Sequence, residues 1–170
     1  MLSRPAPLFD HAWIAARLPH AGAMCLLDDV LAWDASHVVC SADDQRRPDH
    51  PLRQFGRLGA ACGIEYAAQA MAVHGALLAP AQGGVRPGML ISARSVQLHV
   101  DRLDDLPQPL QVRAERLQAG EDLLIYGFSL HSAGRLLLQG RASVLLGPDT
   151  TAPAAPAAPR VSDSLPRGRA

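Results

Sequence analysis

Gly63-Ile64-Glu65-Tyr66-Ala67-Ala68-Gln69-Ala70-Met71-Ala72-Val73-His74-Gly75 is the stretch whose reading decides the fold. It lies in the longest helical segment of the chain, about Arg57 to Leu78, which holds no proline and is dominated by alanine. Gly56, Gly59, Gly63 and Gly75 are spread along that segment. A glycine inside a helix costs about 1 kcal/mol relative to alanine. The compensation is close backbone approach, so the pattern predicts a helix laid against a sheet and covered on most sides. Glu65 is its only carboxylate, and Gln69, one turn later, lies on the same face.

Working outward, the segments on both sides read as strands. Before the helix come Met24 to Trp33 and His37 to Ala42, joined by Asp34-Ala35-Ser36, which has turn chemistry. A short amphipathic helix precedes them from Asp10 to Arg17, with Asp10 as N-cap and Pro19 ending it. After the helix come Met89 to Val100, Leu110 to Leu117, Leu123 to His131 and Arg135 to Leu146. Gly120-Glu121 and Ala133-Gly134 fall where short hairpin turns belong. Leu110, Val112 and Ala114, and then Leu136 and Leu138, alternate as strands with one common face. The order is α+β: six antiparallel strands around one long central helix, the hot-dog architecture. A sheet of this kind leaves an open edge, and pairing across it predicts a dimer. Residues 1–147 form this domain. The Ala/Pro-rich tail, 148–170, has almost nothing to bury and reads as disordered.

Bulk properties exclude several function classes. Sixteen basic residues, all arginine, balance sixteen acidic ones, so the clustered positive charge that nucleic acid or an anionic membrane requires is missing. Cys25, Cys40 and Cys62 are odd in number, without a C-x-x-C spacing, and read as reduced core residues. Glu65, Gln69 and His74 interrupt the most apolar stretch, Leu58 to Pro80, so no membrane span is expected. No signal peptide is apparent, and the protein reads as cytoplasmic. His11, His37, His99 and His131 lack metal-ligand spacing, and no metal is indicated. Gly83-Gly84 reads as a loop and not a phosphate cradle.

The motifs go further by resemblance. Leu18-Pro19-His20 followed by Met24-Cys25-Leu26-Leu27-Asp28-Asp29-Val30 resembles the N-terminal signature of (3R)-hydroxyacyl-carrier-protein dehydratases. His50-Pro51 and the Glu65-x-x-x-Gln69 helix resemble that family's catalytic His loop and Glu-x-x-x-Gln helix. The wording of the helix is most similar to dehydratase-like proteins of aryl polyene biosynthesis clusters, and the likeness spans about residues 10 to 146. The chain departs from the usual Gly-His-Phe-Pro with Asp49-His50-Pro51-Leu52, has no Pro-Gly before the helix, and sets His and Glu one residue further apart.

The resemblance implies dehydration of a 3-hydroxyacyl thioester on acyl carrier protein, in fatty acid or polyene-type biosynthesis. It implies no cofactor beyond the phosphopantetheine arm that carries the substrate. His50 is the expected base at the α-carbon and Glu65 the acid for the departing hydroxyl, the two meeting across a dimer interface. Neutral imidazole suits the first role near neutral pH, and a carboxyl in an apolar site suits the second. Gln69 is expected to orient Glu65, and the backbone N–H groups of Gly59 and Ala60 to hold the thioester oxygen at the helix N-terminus. His20 reads as a structural loop histidine bonding backbone near the first strand, His74 as a residue that packs or solvates and is given no site role, and Cys62 as a small core residue. Arg86, Arg94 and Arg102 are candidates to meet the acidic carrier protein. A hot-dog thioesterase, in which the carboxylate activates water, is the alternative enzyme. The alternative to an enzyme is a weakly active subunit that completes a related dehydratase in a heterodimer.

Overall fold

The computed structural model describes residues 6–79 and 86–148. The tail from 149 and Gly83-Gly84 lie outside the described residues. Six antiparallel strands form one sheet: β1 Asp29–Trp33, β2 His37–Ala42, β3 Gly88–Leu98, β4 Leu110–Ala119, β5 Leu123–Ser132 and β6 Arg135–Leu146. Their spatial order is β1-β2-β4-β5-β6-β3. The helix α2, Gly63–Leu78, packs on the face formed by β2, β4 and β5, and a short helix α1, His11–Ala15, precedes the sheet. This is the hot-dog architecture.

The core is built in rows across the sheet. Cys40, Val112, Leu130 and Leu138 stand directly opposite one another from β2 to β6, and all four are buried. The next row runs Val38, Ala114, Phe128 and Gly140. A Cβ on Gly140 would come within 2.8 Å of Phe128 Cζ, so the small residue makes room for the ring. Against these rows α2 lays Tyr66, Ala67, Ala70, Met71 and Val73. Its first residue approaches the sheet so closely that a Cβ on Gly63 would meet Leu138 Cδ2 at 2.3 Å. Of the four glycines read as contact points, Gly63 alone has such a neighbour.

Several boundaries differ from the sequence reading, each for a visible reason. The helix starts at Gly63, after a 3-10 turn over Ala60–Cys62. Residues 58–60 are drawn out of it because they pair with another segment: Leu103 N–H donates to Leu58 O at 2.8 Å and Ala60 N–H to Asp101 O at 3.1 Å. The first strand starts at Asp29 because the backbone of Met24 and Leu26 bonds the Gln69 side chain on the helix, not a neighbouring strand. The alternation of Leu136 and Leu138 is broken by a bulge at Leu137, itself fully buried. The turns stand where they were read. Asp34 accepts from Ser36 N–H, Ser36 Oγ and His37 N–H. Ala133 and Gly134 both have positive φ, 48° and 77°. Asp10 caps α1 by accepting from Trp13 N–H at 2.9 Å.

The two edges of the sheet are unequal. On β1, Phe9 forms a bridge with Val30 that occupies part of the edge. On β3, Met89, Leu90, Ile91 and Leu98 are exposed. No helix among the described residues is long and apolar enough to cross a membrane.

His74, on α2, is fully buried and holds the β1–β2 turn to the sheet. Its Nε2–H donates to Asp34 O at 2.9 Å, which leaves Nδ1 to accept from Tyr126 Oη at 3.0 Å. Burial pushes this imidazole below its ordinary value, with Arg116 and His37 adding to the effect and Asp34 opposing it. The unfolded chain therefore binds a proton near pH 6.5 that the folded chain refuses. Stability is complete above about pH 6.5 and falls as the pH drops through the folded value. Urea midpoints measured between about pH 5 and 7.5 should decline on the acid side for the wild type, and His74→Gln should flatten that decline.

Candidate functional site

Gln69 is the fixed point of the site. It is fully buried; its Oε1 accepts from Leu26 N–H at 2.9 Å, and its Nε2 donates to Met24 O at 2.7 Å and Glu65 Oε1 at 3.0 Å. One side chain thus staples α2 to residues 24–26 and holds the carboxylate one turn earlier on the helix. The same Glu65 oxygen lies 3.0 Å from His20 Nε2. Glu65 is 32% exposed and His20 30%, so the pair stands at the rim of the helix and not in the apolar site expected from the sequence. His20 does not bond backbone as expected; its partner is the carboxylate. The signal for it was present in Leu18-Pro19-His20.

His50 sits elsewhere. Its side chain is completely enclosed, with Nε2 2.9 Å from Tyr66 Oη and 3.2 Å from Asp44 Oδ2. Leu52 N–H donates to its Nδ1 at 3.1 Å. That bond requires Nδ1 to carry the lone pair, so the neutral ring is protonated at Nε2 and directs this proton to Asp44 or Tyr66. Tyr66 Oη donates to Asp44 Oδ1 at 2.6 Å, closing the group. Burial pushes the His50 imidazole down and the Asp44 carboxyl up. Neither His50 nitrogen contacts Glu65 within the chain; both are occupied by Asp44, Tyr66 and Leu52. Asp44 and Tyr66 carried no signal in the sequence beyond their neighbours, since an aspartate in a polar loop and a tyrosine on an apolar helix are both ordinary there.

The oxyanion expectation is corrected at Ala60, whose N–H is already bonded to Asp101 O. Gly59 lies beside it in extended backbone at the start of the 3-10 turn. Cys62 donates its thiol to Leu52 O at 3.8 Å, and burial pushes the thiol up, away from nucleophilic thiolate. Two of the three arginines read as carrier contacts have internal work. Arg86 bonds Gly147 O, Glu121 O and Asp122, and Arg102 pairs with Asp104. Arg94 stands opposite Arg141 across the β3–β6 ladder. Beside the helix N-terminus a groove of about 910 Å³ is lined by Arg57, Gly59, Ala61, Leu98, Arg102 and Arg135, among others.

Residues 12–154 match the family model described as ApeP-like, ApeP dehydratase. The dehydratase heterocomplex ApeI:P from Xenorhabdus doucetiae superposes with a TM-score of 0.68 at 25% identity, covering 86% of this chain and 95% of that one. A hypothetical thioesterase from Streptococcus pneumoniae, solved with coenzyme A, gives 0.53 at 13% identity, covering 71% and 86%. Zebra fish thioesterase superfamily member 2 gives 0.56 at 17%, covering 81% and 95%. No curated protein sequence matches. The two thioesterases share the fold, whereas the family match extends over the helix, the His20 segment and the whole sheet: the chain belongs to the ApeP-like dehydratase family.

Proposed function

We propose that the chain removes water from 3-hydroxyacyl thioesters carried on acyl carrier protein, giving trans-2-enoyl thioesters in polyene-type or fatty acid biosynthesis in the cytoplasm. The observation that carries this reading is the Glu65 carboxylate, partly open and held in one place by buried Gln69, in a chain of the dehydratase family. The reaction breaks the Cα–H and Cβ–O bonds and forms Cα=Cβ. One group takes the α-proton and another gives a proton to the departing hydroxyl, so that water leaves. The carboxyl of Glu65 serves the hydroxyl. The only other substrate handle required is the phosphopantetheine arm.

His50 is proposed as the base, with a condition set by its surroundings. Asp44, Tyr66 and Leu52 must release one ring nitrogen before it can take a proton. We assign that release to docking of a second hot-dog subunit. The exposed β3 edge supports such a subunit, because Met89, Leu90 and Ile91 stand in solvent there while the β1 edge is partly occupied by Phe9. Phe55, fully exposed at the tip of a tight turn with φ 52°, offers a further apolar anchor. The complex of ApeI with ApeP supports a related subunit over a second copy of this chain. Arg94 and Arg141 are the proposed contacts of the acidic carrier.

The test is turnover of a carrier-bound 3-hydroxyacyl thioester, alone and with the related subunit, read by mass spectrometry. Loss of one water supports the proposal. Free carrier would instead mean thioesterase chemistry, and inertness with the partner present would refute the dehydratase reading. Met89→Lys combined with Ile91→Lys should weaken subunit association at least about tenfold, read by light scattering, with the circular dichroism spectrum unchanged. Unchanged association would move the interface away from β3.

A further inference from the structure

We propose that His20 is the positioning residue of the catalytic carboxylate, and that its ring, with Gln69, fixes which oxygen of Glu65 faces the substrate. This rests on the dehydratase reading and deepens it.

His20 does not brace the loop in which it sits. It lies between α1 and the 3-10 turn over Gly22–Met24, in a segment whose neighbours have clear structural partners. His11 bonds Leu27 O at 2.8 Å, and Gln69 bonds both Met24 and Leu26. A histidine present only to brace this loop would use its second nitrogen on a backbone group. His20 Nδ1 is instead buried with no hydrogen-bond partner among the described residues. A buried polar atom left unpaired is unfavourable, so a bracing role alone does not account for the ring's placement. The polar contact that the ring does make is with Glu65 Oε1, through Nε2 at 3.0 Å.

Two donors, His20 Nε2–H and Gln69 Nε2–H, therefore converge on the same carboxylate oxygen. Their directions differ: Gln69 approaches along the helix from within the core, and His20 from the opposing loop. Together they set the rotation of the carboxyl group, leaving Oε2 as the oxygen that exchanges a proton with the leaving hydroxyl. Gln69 alone fixes Oε1 at one point but not the plane of the group. A glutamate side chain otherwise keeps its last torsion broad and nearly two-fold, so removal of His20 lets the proton-bearing oxygen drift. Misplacement of about 1 Å at a reacting group lowers rate by about 10²-fold.

The experiment uses the full chain with its partner subunit. His20→Ala is expected to lower kcat about 10²-fold while KM and the melting temperature stay near wild type. His20→Gln, whose amide N–H reaches about as far as Nε2, should recover most of kcat. Crystal structures of the two variants supply a readout independent of turnover: Glu65 should leave its wild-type rotamer in His20→Ala and keep it in His20→Gln. An unmoved Glu65 with unchanged kcat would overturn the proposal, as would equal loss of kcat and melting temperature in both variants. A wild type inert on every carrier thioester, with Glu65 still displaced in His20→Ala, would remove the dehydratase reading and leave the placement of Glu65 by His20 standing.

Discussion

Glu65→Gln is expected to lower turnover of the carrier-bound substrate by about 10²–10⁴-fold, the range of a lost acid–base group, without loosening the fold. The substitution is selective because of what surrounds the side chain. The glutamine carbonyl can still accept from Gln69 Nε2 and His20 Nε2, which both meet one oxygen of the native carboxylate. The amide nitrogen then takes the place of the second oxygen. What disappears is the ability to give up and regain a proton there. Unfolding free energies of variant and wild type from urea titration should agree within about 1 kcal/mol, because Glu65 is a third exposed and the glutamine keeps both hydrogen bonds. Binding of the acyl-carrier substrate should also persist, so the loss should fall on kcat and not KM. Retention of turnover within about tenfold would remove Glu65 from the chemistry, since a positioned acid–base group typically contributes about 10²-fold or more.

How much of this was legible beforehand differs between fold and site. The strands after the helix were readable because a period of two, punctuated by Gly120-Glu121 and Ala133-Gly134, has few alternative meanings. The helix start was misread by six residues because Arg57 to Cys62 contains nothing that forbids a helix. Its exclusion comes from pairing with residues 101–103, more than forty positions away. Met24 to Leu27 was misread as strand for a related reason, as Met24 and Leu26 bond a glutamine side chain on the helix, and the backbone bonds to β2 begin only at Asp28. At the site, Glu65 and Gln69 were legible from their spacing, since i and i+4 share a face whatever else happens. The Asp44–His50–Tyr66 group was not, because it joins a loop residue to a helix residue through a contact that no periodicity encodes. His20 shows the limit of a motif: Leu18-Pro19-His20 marked the position, but only the folded chain shows the ring turned onto Glu65.

Asp104→Ala is expected to destabilise the protein by about 3–5 kcal/mol, the range for removing one partner of a buried ion pair. The Asp104 side chain is 1% exposed and accepts from Arg102, from Arg53 Nη2 at 2.5 Å and from Leu58 N–H at 3.0 Å. Its loss strands the Arg53 guanidinium, 16% exposed, and the Leu58 backbone donor, while Arg102 can turn to solvent; Arg53 Nε already lacks a partner among the described residues. The Arg102 guanidinium, then Arg53 and the Leu58 N–H, hold this carboxyl well below the usual carboxylate range against the opposing effect of burial. A depressed folded value means the contribution is complete above the ordinary aspartate pKa of about 3.9 and is lost as the pH falls through the folded value. The gap between wild type and variant should therefore be constant near neutral pH and shrink below about pH 4, as read from urea midpoints. A neutral-pH gap under about 1 kcal/mol would show that solvent already screens the cluster, as at an exposed pair. The consequence reaches the site through the backbone. Leu58 and Ala60 are pinned to 101–103 beside this carboxylate, and Gly63 touches Leu138 only a few residues on. Asp104 thus anchors Leu58 in the segment that leads into the first turn of the helix, and Glu65 lies in that turn. In the cold, where the variant remains folded, it should still show reduced kcat, because the carboxylate travels with the helix end that the clamp no longer holds.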